Sequence, residues 1–221
     1  LVILVGKPGT ILPEIARKHQ APAVFWNRSC CPEENIEDVR VEAALQNTGI
    51  TCRTFSNNNY LLLPDEVRTA ADTPFKVFTP FYKQASTMPV QEPLPPPKSL
   101  SKPKAKPTSI PLDDLHLLPK INWTTGLQAE WRPGEEGAAQ RLERFLEEGV
   151  AQYDEMRDYP AIAGTSKLSP HLHFGEITPG QIAATISGYC ASRPNPQRAR
   201  NTEAFLRQLY WRMGLCSMMG E

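Results

Sequence analysis

Residues 164–179 read GTSKLSPHLHFGEITP, the densest combination of polar and apolar signals in the chain. Three hydroxyls and one cation, those of Thr165, Ser166, Ser169 and Lys167, surround a Ser-Pro pair that is typical of a helix N-terminus. The free N–H groups and partial positive charge of a helix N-terminus suit a phosphate or pyrophosphate. A Ser-Pro cap with solvated neighbours is the alternative interpretation, and these residues by themselves leave both open.

The sequence on both sides of this stretch is helical in pattern. An apolar stripe with spacing i, i+4, i+7, i+11 and i+15 is formed by Ala138, Leu142, Phe145, Gly149 and Tyr153. A hydroxyl directly before a proline, at Ser169 and again at Thr178, predicts two further helix starts with these residues as N-caps. The last helix is predicted over Glu203–Arg212, and the residues after it contain no cap or stop signal.

The first 55 residues alternate between strand-like and helix-like segments. The predicted order is strand Leu1–Val5, helix Leu12–His19, strand Ala23–Trp26, helix Glu34–Thr48 and strand Ile50–Phe55. Such an order implies parallel strands joined by right-handed crossovers, which is part of a doubly wound sheet. The chain begins on a strand, as though the sheet had been cut at that edge.

A stretch rich in Pro and Lys separates these two patterns. Residues 93–107 contain almost nothing to bury and predict an extended interdomain linker. The linker lysines either are simply solvated or approach DNA phosphates; they are Lys98, Lys102, Lys104 and Lys106. The predicted fold class is α/β plus all-α, with an α/β domain at 1–85, the linker at 86–130 and a helical domain at 131–221.

Composition limits the function only weakly. Lys+Arg and Asp+Glu both number 24, so any basic surface for a nucleic acid must be local. The five cysteines form no C-x-x-C pair, which disfavours a zinc site and favours a reducing, intracellular compartment. No apolar run approaches the length of roughly 20 residues that a membrane span needs.

Residues 164–179 resemble the segment G-T-S-x-L-S-P-x-L-x-F-G-x-I-S-P of the DNA photolyase/cryptochrome family. Other blocks that resemble the family occur in its order, namely 12–16, 23–28, 38–42, 77–81, 157–160 and 205–212. The resemblance spans nearly the whole chain and is closest to class I-like deoxyribodipyrimidine photo-lyases. It implies an internal fragment, in which an antenna domain without its N-terminal part is linked to the first part of a helical FAD-binding domain.

Positions that match the family's motifs imply roles for individual residues. FAD would be held by Tyr153, Thr165, Ser166, Lys167, Leu168, Ser169 and Phe205. Damaged DNA would be contacted by Arg157, Gln208, Trp211 and Arg212, of which Trp211 and Gln208 would be catalytic. A folate or deazaflavin antenna chromophore would lie near Asn27 and Glu34. Without the family context, Trp211 is a core tryptophan and Arg157 forms a surface ion pair with Asp158.

Several departures from the family pattern bear on function. Gln208 replaces a glutamate that in many photolyases assists splitting of the lesion, and glutamine bonds to a base but supplies no proton. Lys167 stands where arginine is common, and Met213-Gly214 replaces an acidic-aromatic pair. His171 and His173 have no third metal ligand at suitable spacing, which favours packing or a hydrogen bond for both.

The resemblance implies blue-light-dependent repair of pyrimidine dimers in DNA by electron transfer from reduced FAD, with a carbon-carbon lyase activity. The alternatives are a cryptochrome-type photoreceptor that binds FAD and signals, and a fragment that binds neither flavin nor DNA. A monomeric, cytoplasmic protein without membrane contact is expected. The isolated chain is expected to have little or no repair activity.

Overall fold

The computed structural model describes residues 1–27, 32–55, 60–63, 66–100 and 107–219. The chain forms two compact units, one from Leu1–Asn57 with Pro95–Gly126 and the other from Asn58–Leu94 with Leu127–Glu221. These units are divided differently from the predicted domains. Residues 58–94 belong to the helical unit because the aromatic side chains of Phe78 and Phe81 are buried in its core.

The first unit contains a parallel βαβ arrangement. Helix α1 (Pro8–Lys18), strand β1 (Ala23–Asn27), helix α2 (Pro32–Gln46) and strand β2 (Thr51–Phe55) follow in order. The two strands pair in parallel from Ala23↔Thr51 to Asn27↔Phe55. Helices and strand ends enclose a small core of Ala16, Val41, Leu45 and Ile50. The predicted strands at 23–26 and 50–55, the helix at 34–48 and the α/β class are confirmed, while α1 begins at Pro8, four residues before the predicted start.

The predicted strand at Leu1–Val5 is wrong. The amide of Ile3 donates to the hydroxyl of Ser109 at 2.8 Å, and the amide of Ile110 donates to the Ile3 carbonyl at 3.0 Å. This segment therefore meets residues 109–110 through one backbone hydrogen bond, which is not enough to form a ladder. Four of its five side chains are exposed, those of Leu1, Val2, Leu4 and Val5. Composition does not distinguish such an exposed extended run from a paired strand.

The second unit is helical. Its helices are α3 (Phe78–Ala85), α5 (Glu135–Arg144), α6 (Tyr153–Met156), α7 (Ser169–His173), α8 (Pro179–Ser192) and α9 (Pro196–Met219). A short helix, α4 (Thr125–Glu130), crosses the sequence boundary between the units, and a 3₁₀ turn occurs at Leu112–Leu115. After α5 the chain continues as a π turn (Phe145–Gly149) and a 3₁₀ turn (Val150–Gln152), which bring the predicted stripe into the core.

Three observed helix starts can be compared with the predicted N-caps and start residues, where the rule is that a hydroxyl residue directly before a proline caps a helix. At α8 the rule holds, because Gln181 N donates to Thr178 Oγ1 at 3.1 Å and the Gln181 side chain accepts from the Thr178 amide at 2.8 Å. At α7 it fails, because Leu168 is the N-cap and Ser169 is already helical without a side-chain cap bond. Helix α9 begins seven residues before the predicted Glu203, where Asn195 Oδ1 accepts from the Arg198 amide ahead of Pro196. Within the described ranges, no helix has both the length and the apolar character to cross a membrane.

Candidate functional site

One face of α9 lines a cavity of about 410 Å³ within the helical unit. Its polar and aromatic lining residues are Asp154, Arg157, Arg200, Glu203, Arg207, Gln208 and Trp211. Five of them recur on α9 at i, i+3, i+7, i+8 and i+11, so helical periodicity places them on the same side. The structure thus brings together three predicted DNA residues, Arg157, Gln208 and Trp211, while Arg212 does not line the cavity.

The cavity has an excess of positive charge, because three arginines face two carboxylates. Arg157 Nε lies 3.8 Å from Asp158 and 4.0 Å from Asp154, which is too long for a hydrogen bond. The same Nε is buried, and it has no hydrogen-bond partner among the residues that the structure describes. The predicted Arg157–Asp158 ion pair is therefore present but loose.

Trp211 combines exposure with a fixed neighbour. Its side chain is 38% exposed, so the alternative of a core tryptophan is wrong. One face of the indole stacks on Phe78 of α3, with ring centroids 3.6 Å apart and an interplanar angle of 10°. Because Phe78 covers one face and Trp211 lines the cavity, the opposite face is the one that can receive another ring.

Three of the predicted cofactor residues are buried in the core instead of lining a cavity. Tyr153 and Phe205 pack edge to face at 5.3 Å, and both contact Phe145. Burial raises the pKa of the Tyr153 phenol above its usual value near 10, against the opposing effect of the nearby Arg157 guanidinium. Leu168 is also fully buried. Apolar side chains from three separate segments, α6, the residue before α7 and α9, are buried in one core cluster here, which is the ordinary behaviour of such side chains.

The remaining predicted cofactor residues form a polar stretch that covers the end of the loop after α6 and the first residue of α7. Thr165, Lys167 and Ser169 are exposed and Ser166 is half-buried, with its Oγ 3.4 Å from the Leu168 amide. Lys167 has a left-handed backbone with φ of +51°, an uncommon conformation for a residue with a side chain. The hydroxyls and the ammonium group are the donors that a pyrophosphate requires, so this loop fits the diphosphate of FAD in its chemistry.

Lys167 already has an anionic partner in the structure. Its Nζ lies 3.1 Å from Glu130 Oε1, and Arg141 donates to the Glu130 carbonyl oxygen at 2.7 Å. The Lys167 ammonium, followed by Arg141, holds the pKa of the Glu130 carboxyl below its usual value. Both members of the Lys167–Glu130 pair are about half exposed, so the pair is weak and can exchange for a stronger anion.

His171 is a packing residue with one strong hydrogen bond. It is 2% exposed, and its Nδ1 donates to Glu176 Oε2 at 2.6 Å, as the sequence predicts for a histidine without a metal. His173 is exposed and contacts Phe174. In the described ranges, no group of three His, Cys, Asp or Glu residues has the arrangement of a metal site.

The His171–Glu176 pair predicts a pH-dependent contribution to stability. The hydrogen bond from His171, and then one from the Gly134 amide, lower the pKa of Glu176 below its ordinary value of 4.5. A carboxyl whose pKa is lowered by folding stabilises the fold above pH 4.5 and loses that effect as the pH falls through its folded pKa. The free energy of unfolding in urea should therefore differ between wild type and Glu176→Gln at pH 7, and the difference should shrink toward pH 3.

The exposed Glu143 on α5 provides the control for this measurement. Glu143→Gln should leave the free energy of unfolding within about 0.5 kcal/mol of wild type at both pH values. A Glu176→Gln variant that is as stable as wild type at pH 7 would contradict the assigned role of the pair.

The predicted antenna residues lie in the other unit. Asn27 ends β1 and Glu34 lies in the first turn of α2, and both are exposed. Both lie toward the carboxyl edge of the parallel sheet, where ligands of open α/β sheets usually bind. Arg28, Cys30 and Cys31, which belong to the same predicted region, lie outside the described residues, as do Lys102, Lys104 and Lys106 of the linker.

Five polar or aromatic residues at the α9 cavity were not predicted from the sequence, namely Phe78, which stacks on Trp211, and the lining residues Asp154, Arg200, Glu203 and Arg207. Glu203 and Arg207 lie within the predicted helix and could have been found from their spacing to Gln208 and Trp211. Arg200 could have been found in the same way only if α9 had been predicted to begin at the Asn195-Pro196 signal. Phe78 has no such signal, because its contact with Trp211 joins positions more than 130 residues apart.

Comparison with known proteins gives a consistent result. Residues 1–98 match the family model described as DNA photolyase. The chain is 34% identical over 215 residues to a deoxyribodipyrimidine photo-lyase of Agrobacterium fabrum, covering 96% of this chain and 44% of that protein. It is 33% identical to an uncharacterised 31.6 kDa protein of Synechococcus, covering 96% of this chain and 74% of that one. The chain thus spans less than half the length of the curated photo-lyase.

Two solved structures superpose on this chain and have the same fold. A class III photolyase from Agrobacterium tumefaciens superposes with a TM-score of 0.91 at 32% identity, covering 99% of this chain and 45% of that one. A cryptochrome from Synechocystis superposes with a TM-score of 0.81 at 22% identity, covering 99% of this chain and 46% of that one, which shows the shared fold.

Proposed function

The chain belongs to the DNA photolyase/cryptochrome family, and from this premise we propose that it serves light-dependent repair of cyclobutane pyrimidine dimers in DNA. The observation that carries the proposal is the cavity on α9. It combines guanidinium groups for phosphates, the Gln208 amide for a base edge and one exposed face of Trp211 for a flipped base.

The arginines of the cavity provide the charge that DNA binding requires. The chain has no net charge, so a local cluster must do this, and Arg157, Arg200 and Arg207 form one. Arg157 lines this cavity and its carboxylate neighbours lie only at 3.8 and 4.0 Å, which supports a phosphate contact there. Arg212, which lies outside the cavity, is proposed to contact the phosphate backbone beyond the lesion.

Gln208 and Trp211 are proposed to recognise the damaged base. A damaged pyrimidine pair is poorly stacked, so its extrusion costs less than that of an intact pair. The free face of Trp211 then offers a stacking surface, and the Gln208 amide both donates to and accepts from a pyrimidine edge. These two side chains are proposed to hold the dimer at a fixed position.

The proposed cofactor is FAD, which in its reduced, light-excited form would lend an electron to the dimer and take it back once the dimer has split into two pyrimidines. The loop of Thr165, Ser166, Lys167 and Ser169 is proposed to hold the diphosphate through hydroxyl donors and one ammonium group. Lys167 exchanges its Glu130 partner for the phosphate in this arrangement. Tyr153, Leu168 and Phe205 support the loop from the core behind it, and the proposed contact of Tyr153 and Phe205 with the flavin requires them to become exposed.

Replacing Trp211 tests the DNA part of the proposal. We expect the chain to bind an oligonucleotide with one pyrimidine dimer more tightly than the same oligonucleotide without it. Stacking of a base on an aromatic side chain contributes about 1–3 kcal/mol, so Trp211→Ala should remove most of this preference and Trp211→Phe should retain part of it. Fluorescence anisotropy with both oligonucleotides at one fixed salt concentration measures the ratio.

Trp123 provides the matched control for this experiment. It is 66% exposed and lies in the other unit, so Trp123→Ala should leave the ratio unchanged. Equal preference for the dimer in wild type and Trp211→Ala would contradict the role proposed for the indole.

Absorption spectroscopy tests the flavin part. After incubation with FAD and dialysis, the purified chain should retain a flavin band with resolved vibrational structure, and Lys167→Ala should weaken that retention more than Lys98→Ala. Complete loss of flavin from the wild-type chain would overturn the proposal that this chain holds the cofactor by itself. Illumination of the loaded chain with dimer-containing DNA should give little or no repair by this chain alone, and light-dependent splitting of the dimer would overturn that expectation.

A cryptochrome-type photoreceptor is the second candidate. Gln208 favours it, because an amide in place of a carboxyl group supplies no proton to the lesion. A solved cryptochrome shares the fold. Retained flavin without any preference for dimer-containing DNA supports this candidate over repair.

An antenna chromophore of the folate or deazaflavin type near Asn27 and Glu34 completes the proposal. A monomeric protein in the cytoplasm, acting on DNA, is the setting that this function requires.

A further inference from the structure

We propose that Phe78 is a positioning residue that fixes the Trp211 ring so that a single face is presented to a flipped base; this rests on the proposed function. The two rings are nearly parallel, and their centroids are 3.6 Å apart. Phe78 is 5% exposed whereas Trp211 is 38% exposed. The buried ring is therefore the support and the exposed ring is the surface that it holds.

Phe78 is itself held on several sides. Its ring lies 6.1 Å from Phe81, which is fully buried, and 5.8 Å from Tyr82 at an interplanar angle of 21°. The Arg207 guanidinium lies over both Phe78 and Tyr82, at 5.7 and 5.1 Å from the ring centroids. A ring fixed by this many neighbours can transmit its orientation to the indole that stacks on it.

Helix α9 is shaped to permit this contact. A Cβ built at Gly214, three residues after Trp211, would lie 3.2 Å from Phe78 and 3.1 Å from Phe81. The absence of a side chain at Gly214 therefore allows α3 and α9 to approach closely enough for the rings to stack. This gives a structural reason for the Met213-Gly214 pair, which departs from the family pattern, since Met213 is also fully buried.

The proposed role is preorganisation. Immobilising a side chain when a ligand binds costs affinity, and a side chain that is already immobile avoids that cost. Trp211 held against Phe78 presents a ready surface, and without Phe78 the indole would have to be ordered by the DNA. The prediction is a loss of discrimination between damaged and intact DNA while the phosphate contacts remain.

Fluorine NMR on protein labelled with 5-fluorotryptophan tests the positioning directly. The chain has four tryptophans, and Trp211→Phe identifies the Trp211 signal. Phe78→Leu removes the aromatic ring above the indole and should shift that signal, whereas Phe75→Leu should not. Phe75 belongs to the same cluster, where it contacts Phe81 edge to face. An unmoved Trp211 signal in Phe78→Leu would overturn the proposal.

DNA binding tests the consequence. An aromatic pair contributes an amount equivalent to about a fivefold change in affinity, so Phe78→Leu should lower the preference for dimer-containing DNA by about fivefold. Phe78→Tyr keeps the ring and should restore both the preference and the fluorine signal. If wild type shows no preference for the dimer, the proposed function fails, and the NMR signal still decides whether Phe78 positions Trp211.

A second variant covers the case in which Phe78→Leu does not fold. Gly214→Ala presses on the Phe78 ring from α9 without altering either aromatic residue, and it should shift the Trp211 signal. Gly188→Ala in α8 has no atom within 4 Å of the added methyl group and should leave the signal in place. Equal signals in these two glycine variants would count against the proposal.

Discussion

Substitution of Gly164 by alanine is expected to lower the free energy of unfolding by about 1–3 kcal/mol and to abolish retention of FAD. A Cβ at this position would lie 2.6 Å from the Met156 Cβ and 2.7 Å from the Met156 carbonyl oxygen. Cβ atoms essentially never approach other heavy atoms this closely, and the obstacle is largely backbone at the end of α6, so it cannot move aside as a flexible side chain would.

The loss of flavin follows from the position of Gly164 in the chain. It directly precedes Thr165, Ser166 and Lys167, so any displacement of Gly164 moves the donors proposed for the diphosphate. Urea unfolding measures the stability, and the absorption of dialysed protein measures the flavin.

A glycine in the same unit provides the matched control. Gly188 lies inside α8, where an added methyl group meets open space and alanine favours the helix by roughly 1 kcal/mol. Gly188→Ala should therefore be at least as stable as wild type and retain flavin equally. Gly164→Ala that behaves like Gly188→Ala would show that the close approach to Met156 has no effect.

Substitution of Asn201 by alanine is expected to cost about 2–4 kcal/mol of the free energy of unfolding. Asn201 is a polar residue of α9 that is 1% exposed. Its Nδ2 donates to the Ala151 carbonyl at 2.6 Å, and its Oδ1 accepts from the Asp154 amide at 3.2 Å. Alanine would leave both backbone groups without these partners, and leaving a buried polar group unpaired costs more than an ordinary hydrogen bond contributes.

The position of these two backbone groups makes the effect functional as well. They flank Tyr153 at the start of α6, where the 3₁₀ turn ends and an amide has no partner within its own helix. Asn201 thus fixes the segment that carries Tyr153 and Arg157. Loss of Asn201 should therefore weaken binding of dimer-containing DNA, which fluorescence anisotropy measures.

Asn195 supplies the comparison for Asn201. It is exposed and accepts one hydrogen bond, from the Arg198 amide, as the N-cap of α9. Loss of an N-cap costs about 1 kcal/mol, so Asn195→Ala should be clearly milder than Asn201→Ala. If both variants lost the same stability, burial of the Asn201 amide would not be the cause.

Local patterns in the sequence predicted those elements whose signals lie within a few residues. The strands at 23–26 and 50–55 and the helix at 34–48 were predicted from periodicity, and the cap at Thr178 from the hydroxyl before a proline. The same cap rule failed at Ser169, because the chain enters α7 through a left-handed Lys167 and places Leu168 at the cap. A residue can have the side chain of an N-cap, but the backbone conformation of the residues before it decides whether that side chain caps the helix.

The residues of the candidate site also fall into those that the sequence predicted and those that it did not. The sequence singled out Arg157, Gln208 and Trp211, and the helical repeat of α9 brings the last two to the same cavity. The phosphate site expected around Ser166 stays a prediction. The apolar stripe predicted that Phe145 and Tyr153 share a face, but it could not predict that Leu168 and Phe205 are buried with them in the core, because an apolar side chain looks the same in sequence whether it faces a ligand or another side chain.

The sequence by itself determined the family, the α/β-plus-helical class and the residues whose chemistry suits phosphate and a base. Only the tertiary structure decided that Leu1–Val5 meets residues 109–110, that residues 58–94 pack with the helical unit, and that Phe78 covers one face of Trp211. The physical reason is the sequence separation over which each kind of interaction acts. Propensity, periodicity and capping act over at most a few turns of chain, whereas ring stacking and burial join residues that are more than 100 positions apart and depend on the packing of the whole unit.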